Sequence, residues 1–128
     1  MAEQEQKHLD GFNRLIVERR VRPTALSPIW NAAGFALGAA SAVLGERAAM
    51  ACTVAVEEVI EEHYAEQAAQ LGDDEAELRD MIEEFRAEEL EHRDIGLEHE
   101  AEQTPGYRLF SEAVKAGSRA AIWLSTRV

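Results

Sequence analysis

Two Glu-x-x-His pairs lie far apart in the chain, Glu5 with His8 and Glu89 with His92, and a single carboxylate, Glu57, falls between them. Residues three apart on a helix share a face, so each pair can aim one carboxylate and one imidazole at a common point. Two such helices facing each other, with further Glu residues from their neighbours, can hold a carboxylate-bridged pair of metal ions. The spacing by itself is weakly specific, because Glu fills 20 of the 128 positions. What surrounds each residue carries more weight.

On a helical projection of about 100° per residue, Glu5 and His8 continue an apolar stripe of Leu9, Phe12, Leu15 and Ile16. Glu89 and His92 share a face with Leu78, Met81, Ile82 and Phe85. Around Glu57 stand Met50, Thr53, Val54, Ile60 and Tyr64, whereas Glu58 and Glu62 project away and Glu61 is intermediate. A carboxylate in an apolar stripe carries a large desolvation cost unless its charge is compensated. A shared cation explains all five residues on three helices. Taken singly, each is better explained as a Glu at the core edge reaching solvent, or a histidine satisfied within the core; together they favour the cation. Cys52 is the only cysteine, which excludes an intramolecular disulfide and a thiolate cluster, and it reads as a small core residue. Carboxylate and imidazole donors without thiolates suit iron or manganese.

The helices must bring these residues together. No stretch alternates with the period of a strand, and the three prolines fall near predicted helix boundaries. The expectation is an all-α fold forming one domain over residues 1–128, with a first helix over 2–20. A second, capped by Ser27 with Pro28 at its first position, runs to Leu44, where Gly45 interrupts. Further helices are expected over 46–71, from Asp73 to about 102, and over 107–126 beyond Pro105 and Gly106.

The net charge of −12 is unevenly spread: +1 over residues 1–56, −16 over 57–103 and +3 over 104–128. No basic stripe is available to neutralise phosphates, which argues against nucleic acid as a partner. The acidic excess reads mainly as a solvated helix face. Pro23 to Gly45 holds 23 consecutive uncharged residues, but its prolines, asparagine and many Ala and Gly make it a poor membrane span and a better buried or interfacial helix. The last helix combines Tyr107, Leu109, Phe110, Ile122, Trp123 and Leu124 with Arg108, Lys115, Arg119 and Arg127. That mixture suits either an anionic lipid surface or an ordinary amphipathic core helix. No signal peptide is recognised, so the expected location is peripheral, on the cytoplasmic face of the cell membrane.

Several blocks resemble the demethoxyubiquinone hydroxylase family: Glu5 to Leu9, Arg20 to Thr24, Gly34 to Ala39, Ala49 to Glu58, and Glu88 to Leu97. The resemblance covers nearly the whole chain and rests on ordered blocks as well as the motif spacing. It implies a ferritin-like bundle and a di-iron monooxygenase of ubiquinone biosynthesis. Such an enzyme sits on a membrane and hydroxylates the ring of a demethoxyubiquinol with dioxygen and electrons from NADH. Carried over by residue, Glu5, His8, Glu57, Glu89 and His92 match iron ligands, and His63 with Tyr64 matches a pair that helps electrons reach the metal and substrate. Read from the residues alone, Tyr64 is also a buried aromatic beside Glu57, and His63 a surface residue.

The family also has an earlier helix bearing a sixth, Glu, ligand, which these residues do not match. The resemblance therefore implies a bundle lacking the first helix, either as a fragment or as a shortened relative that associates with itself or with other ubiquinone-biosynthesis proteins. By itself such a chain is expected to bind iron poorly and hydroxylate little. Two other classes stay open on the residues alone: a non-catalytic quinone- or lipid-binding protein of the membrane surface, and a helical interaction module.

Overall fold

The computed structural model describes residues 1–128, which form five helices: α1 Ala2–Glu18, α2 Ser27–Val43, α3 Glu46–Gln70, α4 Ala76–Glu98 and α5 Tyr107–Ser125. Short 3₁₀ turns at Asp73–Glu75 and Ala101–Gln103 link the last three, and there is no strand.

The central element is α3. It buries Ala48, Ala51, Cys52, Val54, Ala55, Glu57, Val59 and Ala68, a set that points to more than one side. Small residues on several faces let neighbours approach from each direction, and α2, α4 and α5 all pack on it. The tightest approach is to α4, where a Cβ added to Gly96 would lie 2.7 Å from Cγ2 of Val54. One apolar cluster joins Ala51 and Val54 to Ala101, and a second joins Cys52 and Ala55 to Val114 of α5.

Charge fixes the rotation of α3. Glu58 pairs with Lys115, and Glu62 with Arg119 at 3.0 Å, so both face α5. Glu61 meets Arg86 of α4 at 2.6 Å. This arrangement leaves Glu57 inward. At the far end of α1, Arg19 grips both oxygens of Glu75, at 3.0 and 2.6 Å, just before α4 begins.

Two predicted boundaries move. Ser27 does not cap α2: its hydroxyl donates to the Thr24 carbonyl, while the Thr24 hydroxyl accepts from Leu26 N–H, so the turn is closed one residue earlier. α4 ends at Glu98 instead of about 102, because Glu100 takes a left-handed conformation (φ 62°) that starts a new turn. Gly45, at φ 113°, makes the break between α2 and α3 that its residue type suggested.

No helix is long and apolar enough to cross a membrane. α2 is not buried either: only Ser41 is, and Ile29, Phe35, Val43 and Leu44 are exposed on its outer face. Leu109 and Trp123 are similarly exposed on α5. Trp30 Nε1 donates to Ser125 Oγ at 2.8 Å, tying the start of α2 to the end of α5.

Candidate metal centre

Heptad-like spacing on α1 aligns Glu5, His8 and Phe12, and on α4 it aligns Phe85, Glu89 and His92. The two rows face each other, with Glu57 entering from α3. Glu5, Glu57, Glu89 and His92 each offer a donor atom, and these atoms all lie within 4.8 Å of one another. His8 joins on the other side of Glu89, its Nδ1 2.9 Å from Glu89 Oε1. Nδ1 of His92 stands 2.9 Å from Glu5, 3.6 Å from Glu89 and 3.8 Å from Glu57. His8, Glu57, Glu89 and His92 are buried; Glu5 is about half-exposed, with side-chain exposure of 49%.

Neutral packing does not account for these contacts. The Nδ1 atoms of both histidines and one oxygen each of Glu57 and Glu89 are buried without a hydrogen bond, although carboxylate oxygens lie close to them. Three carboxylates and two imidazoles thus crowd one point, and four of their donor atoms are buried without a hydrogen-bond partner. Burial, followed by the nearby Glu89 and Glu5 carboxylates, pushes the Glu57 carboxyl up to about 10. Burial and Glu89 likewise raise Glu5, against the opposing pull of His92 and His8. A bound cation removes both penalties, since it supplies the positive charge that burial has taken away. Orphaned donors, oxygen and imidazole chemistry, and the absence of thiolates all fit iron or manganese.

A wall of aromatic rings closes one side. His8 stacks on Phe85 with centroids 4.1 Å apart, Phe12 meets Phe85 edge-on at 5.5 Å, and Tyr64 lies 6.1 Å from Phe12. Tyr64 therefore borders the cluster, and burial together with the charges of Glu89, Glu5 and Glu57 raises its phenol well above the ordinary range. The structure does not bring His63 to the same point. It lines a groove with Val59, Glu62, Arg119 and Trp123 on the α5 side of α3.

Two polar residues at the site were not singled out from the sequence. Gln4 Oε1 is 2.7 Å from Nε2 of His92, and Glu88 Oε2 is 2.7 Å from Nε2 of His8. Each immediately precedes the Glu of a Glu-x-x-His motif, which is the signal that could have found them.

A family model described as Ubiquinone biosynthesis protein COQ7 matches residues 1–125. The chain belongs to this family. Its COQ7-family relatives include the NADPH-dependent 3-demethoxyubiquinone 3-hydroxylase, mitochondrial, of Dictyostelium discoideum, 60% identical over 100% of this chain and 60% of that protein. The 3-demethoxyubiquinol 3-hydroxylase of Rhodospirillum rubrum is 56% identical over 100% of the chain and 60% of its own length. The human NADPH-dependent 3-demethoxyubiquinone 3-hydroxylase, mitochondrial, is 52% identical over 100% of the chain and 61% of its own. The chain thus spans about 60% of the length of these curated relatives. With family membership, the all-α architecture is that of the ferritin-like COQ7 bundle.

Proposed function

We propose that these residues form the metal-binding core of an iron-dependent monooxygenase that hydroxylates the ring of a demethoxyubiquinol in ubiquinone biosynthesis. The observation that carries the proposal is the convergence of Glu5, Glu57, Glu89 and His92 within 4.8 Å, with His8 against Glu89, in a chain of the COQ7 family. Glu5, His8, Glu57, Glu89 and His92 would hold two iron ions. Iron bound there would supply the activation of dioxygen, with reducing equivalents from a reduced nicotinamide; the names of the Dictyostelium and human relatives specify NADPH. Against the expectation of poor iron retention and little hydroxylation stands the convergence of four donors from three helices, which supports one near-complete site within this chain; iron retained per chain decides between the two.

The chain's own residues have separable tasks. The three carboxylates would offset the cations' charge, and the two Nδ1 atoms would supply the imidazole donors. Phe12 and Phe85 exclude water from the α1–α4 side. The Tyr64 phenol keeps its proton beside the carboxylates and so remains a hydrogen-bond donor at Oη. His63 has no such contact and lines the groove on the α5 side of α3.

A groove of about 590 Å³ between α2 and α5, floored by Val56 and walled by Trp30, Leu37, Phe110 and Val114, is mostly apolar and suits the tail of a quinone. Val56 immediately precedes Glu57 in the chain, so the groove and the cluster share α3. The exposed apolar residues of α2 and α5, with Arg127 lying over Trp123 at 3.9 Å, support peripheral docking on a lipid surface from which such a substrate is drawn.

The test is to reduce the iron-loaded protein, mix it with a short-tailed demethoxyquinol and isotopically labelled dioxygen, and look for one labelled oxygen on the ring. Labelled product from the parent chain and none from Glu89→Ala is the expected result. No product from the loaded parent chain, or equal product from Glu89→Ala, contradicts it.

A further inference from the structure

Each Glu-x-x-His motif is preceded by a side chain with an acceptor oxygen, and in the fold these side chains cross over. Gln4, before Glu5, reaches the histidine of the other motif, with Oε1 2.7 Å from Nε2 of His92. Glu88, before Glu89, reaches back with Oε2 2.7 Å from Nε2 of His8. The inner contacts cross in the same sense: Glu5 meets Nδ1 of His92, and Glu89 meets Nδ1 of His8, both at 2.9 Å. α1 and α4 therefore exchange equivalent contacts across the site, four in all.

We propose that Gln4 and Glu88 are crossed positioning residues, each fixing the ring orientation and tautomer of the histidine supplied by the facing helix so that its Nδ1 is free to bind metal. The proposal rests on the metal-site reading above. A neutral imidazole carries one N–H, and an acceptor oxygen at Nε2 draws it there, which leaves the lone pair at Nδ1. Each Nδ1 faces a carboxylate oxygen at 2.9 Å, Glu89 for His8 and Glu5 for His92, without an aligned hydrogen bond, so a cation placed between them would meet the Nδ1 lone pair and the carboxylate together. The His8 and His92 side chains are 5% and 0% exposed, so solvent does not compete for Nε2. Outer partners of this kind orient a ligating histidine and raise its basicity.

The two partners differ in one respect that gives the sites different character. Glu88 is a carboxylate, and its second oxygen is held at 2.6 Å by Lys7, the residue next to His8, so α1 grips Glu88 through two consecutive side chains. Gln4 offers a neutral amide. A charge-assisted bond is stronger than a neutral one even at equal length, so Glu88 makes His8 the more electron-rich ligand.

An alternative role, mere stitching of α1 to α4, predicts lost fold stability with no change at the metal. The separating experiment titrates the full chain, metal-free at the start, with cobalt(II) alone, reading affinity and the visible d–d bands, while circular dichroism melting of the metal-free variants reports the fold. Gln4→Ala and Glu88→Ala are expected to weaken cobalt binding by about 10- to 100-fold and to shift the bands. Gln4→Glu and Glu88→Gln, which keep an acceptor oxygen, should bring the band positions back. Alanine variants that bind like the parent with unchanged bands, or alanine and conservative variants that weaken alike in step with melting, overturn the proposal. Failure of the parent chain to bind cobalt overturns the metal-site reading and this proposal together, whereas unaltered binding in the variants overturns this proposal alone.

Discussion

Oε1 of Glu5, in the first turn of α1, lies 2.9 Å from Nδ1 of His92 near the end of α4. The contact belongs to the candidate metal centre, and it is also one of the few ties holding α1 to the rest of the bundle. Others include Gln4 with His92, Lys7 with Glu84 and Glu88, His8 with Glu88, Glu89 and Phe85, Phe12 with Phe85 and Tyr64, and Arg19 with Glu75. Site and scaffold thus share residues along this interface, so metal bound at the centre would couple to the docking of α1.

Phe85 is the apolar half of that coupling. It is 2% exposed, and both His8 and Phe12 rest on it. Phe85→Ala should cost about 3–5 kcal/mol in chemical denaturation. It should also weaken metal binding, since His8 loses the surface that orients its ring. Destabilisation without any loss of metal affinity would separate the two roles.

The pH response of the metal-free chain follows from Glu57. Its folded carboxyl is raised to about 10 from an ordinary value of 4.5. Between those values the folded chain holds a proton that the unfolded chain has released, so stability is fullest below the lower value and falls as pH rises toward the upper one. Urea titrations of the metal-free protein from pH 6 to 9, with pH a chosen variable, should show stability declining in the parent and a shallower decline in Glu57→Gln. Bound metal should reverse the trend, because the cation favours the deprotonated carboxylate.

The α3–α4 seam is set by Gly96. An added Cβ would sit 2.7 Å from Val54 Cγ2 and 3.4 Å from the Met50 carbonyl, and the second of these is backbone. Gly96→Ala should therefore destabilise by about 1–3 kcal/mol. Gly38→Ala on the open side of α2 meets nothing within 4 Å and should stabilise by about 0.5–1 kcal/mol. Thermal or chemical melting of the two variants checks the opposite signs.

Much of the site was legible because burial is written in helical phase. The stripe around Glu57 separated it from Glu58 and Glu62, and those two do turn to Lys115 and Arg119. Cys52 is a small buried residue, as expected of a lone free cysteine. Gln4 and Glu88 were not legible, since a polar residue beside a ligand looks like solvated surface until the facing helix supplies a histidine. The end of α4 was missed because Glu100 adopts a left-handed conformation that its residue type does not favour. The Ser27 cap was displaced by Thr24, whose own hydroxyl closes the turn first.

The proposed membrane docking would rest on exposed side chains. Phe35 is 80% exposed on α2 and Trp123 56% exposed on α5. Replacing either with Gln should lower partition onto vesicles containing anionic lipid by roughly tenfold, the scale of burying one aromatic side chain. The fold should be unaffected, because neither side chain is part of the buried core. Unchanged cosedimentation of the double variant would place the docking surface elsewhere.

The most direct test of the metal centre is iron retained per polypeptide. The chain is loaded anaerobically with ferrous iron, stripped of free metal and compared with Glu57→Ala, with circular dichroism confirming that both remain helical. The account predicts that the parent keeps about one iron or more per chain and that the variant loses most of it, because a folded site of deprotonated donors retains metal that a depleted one does not. A parent chain that retains no iron, or a folded Glu57→Ala that retains as much as the parent, contradicts it.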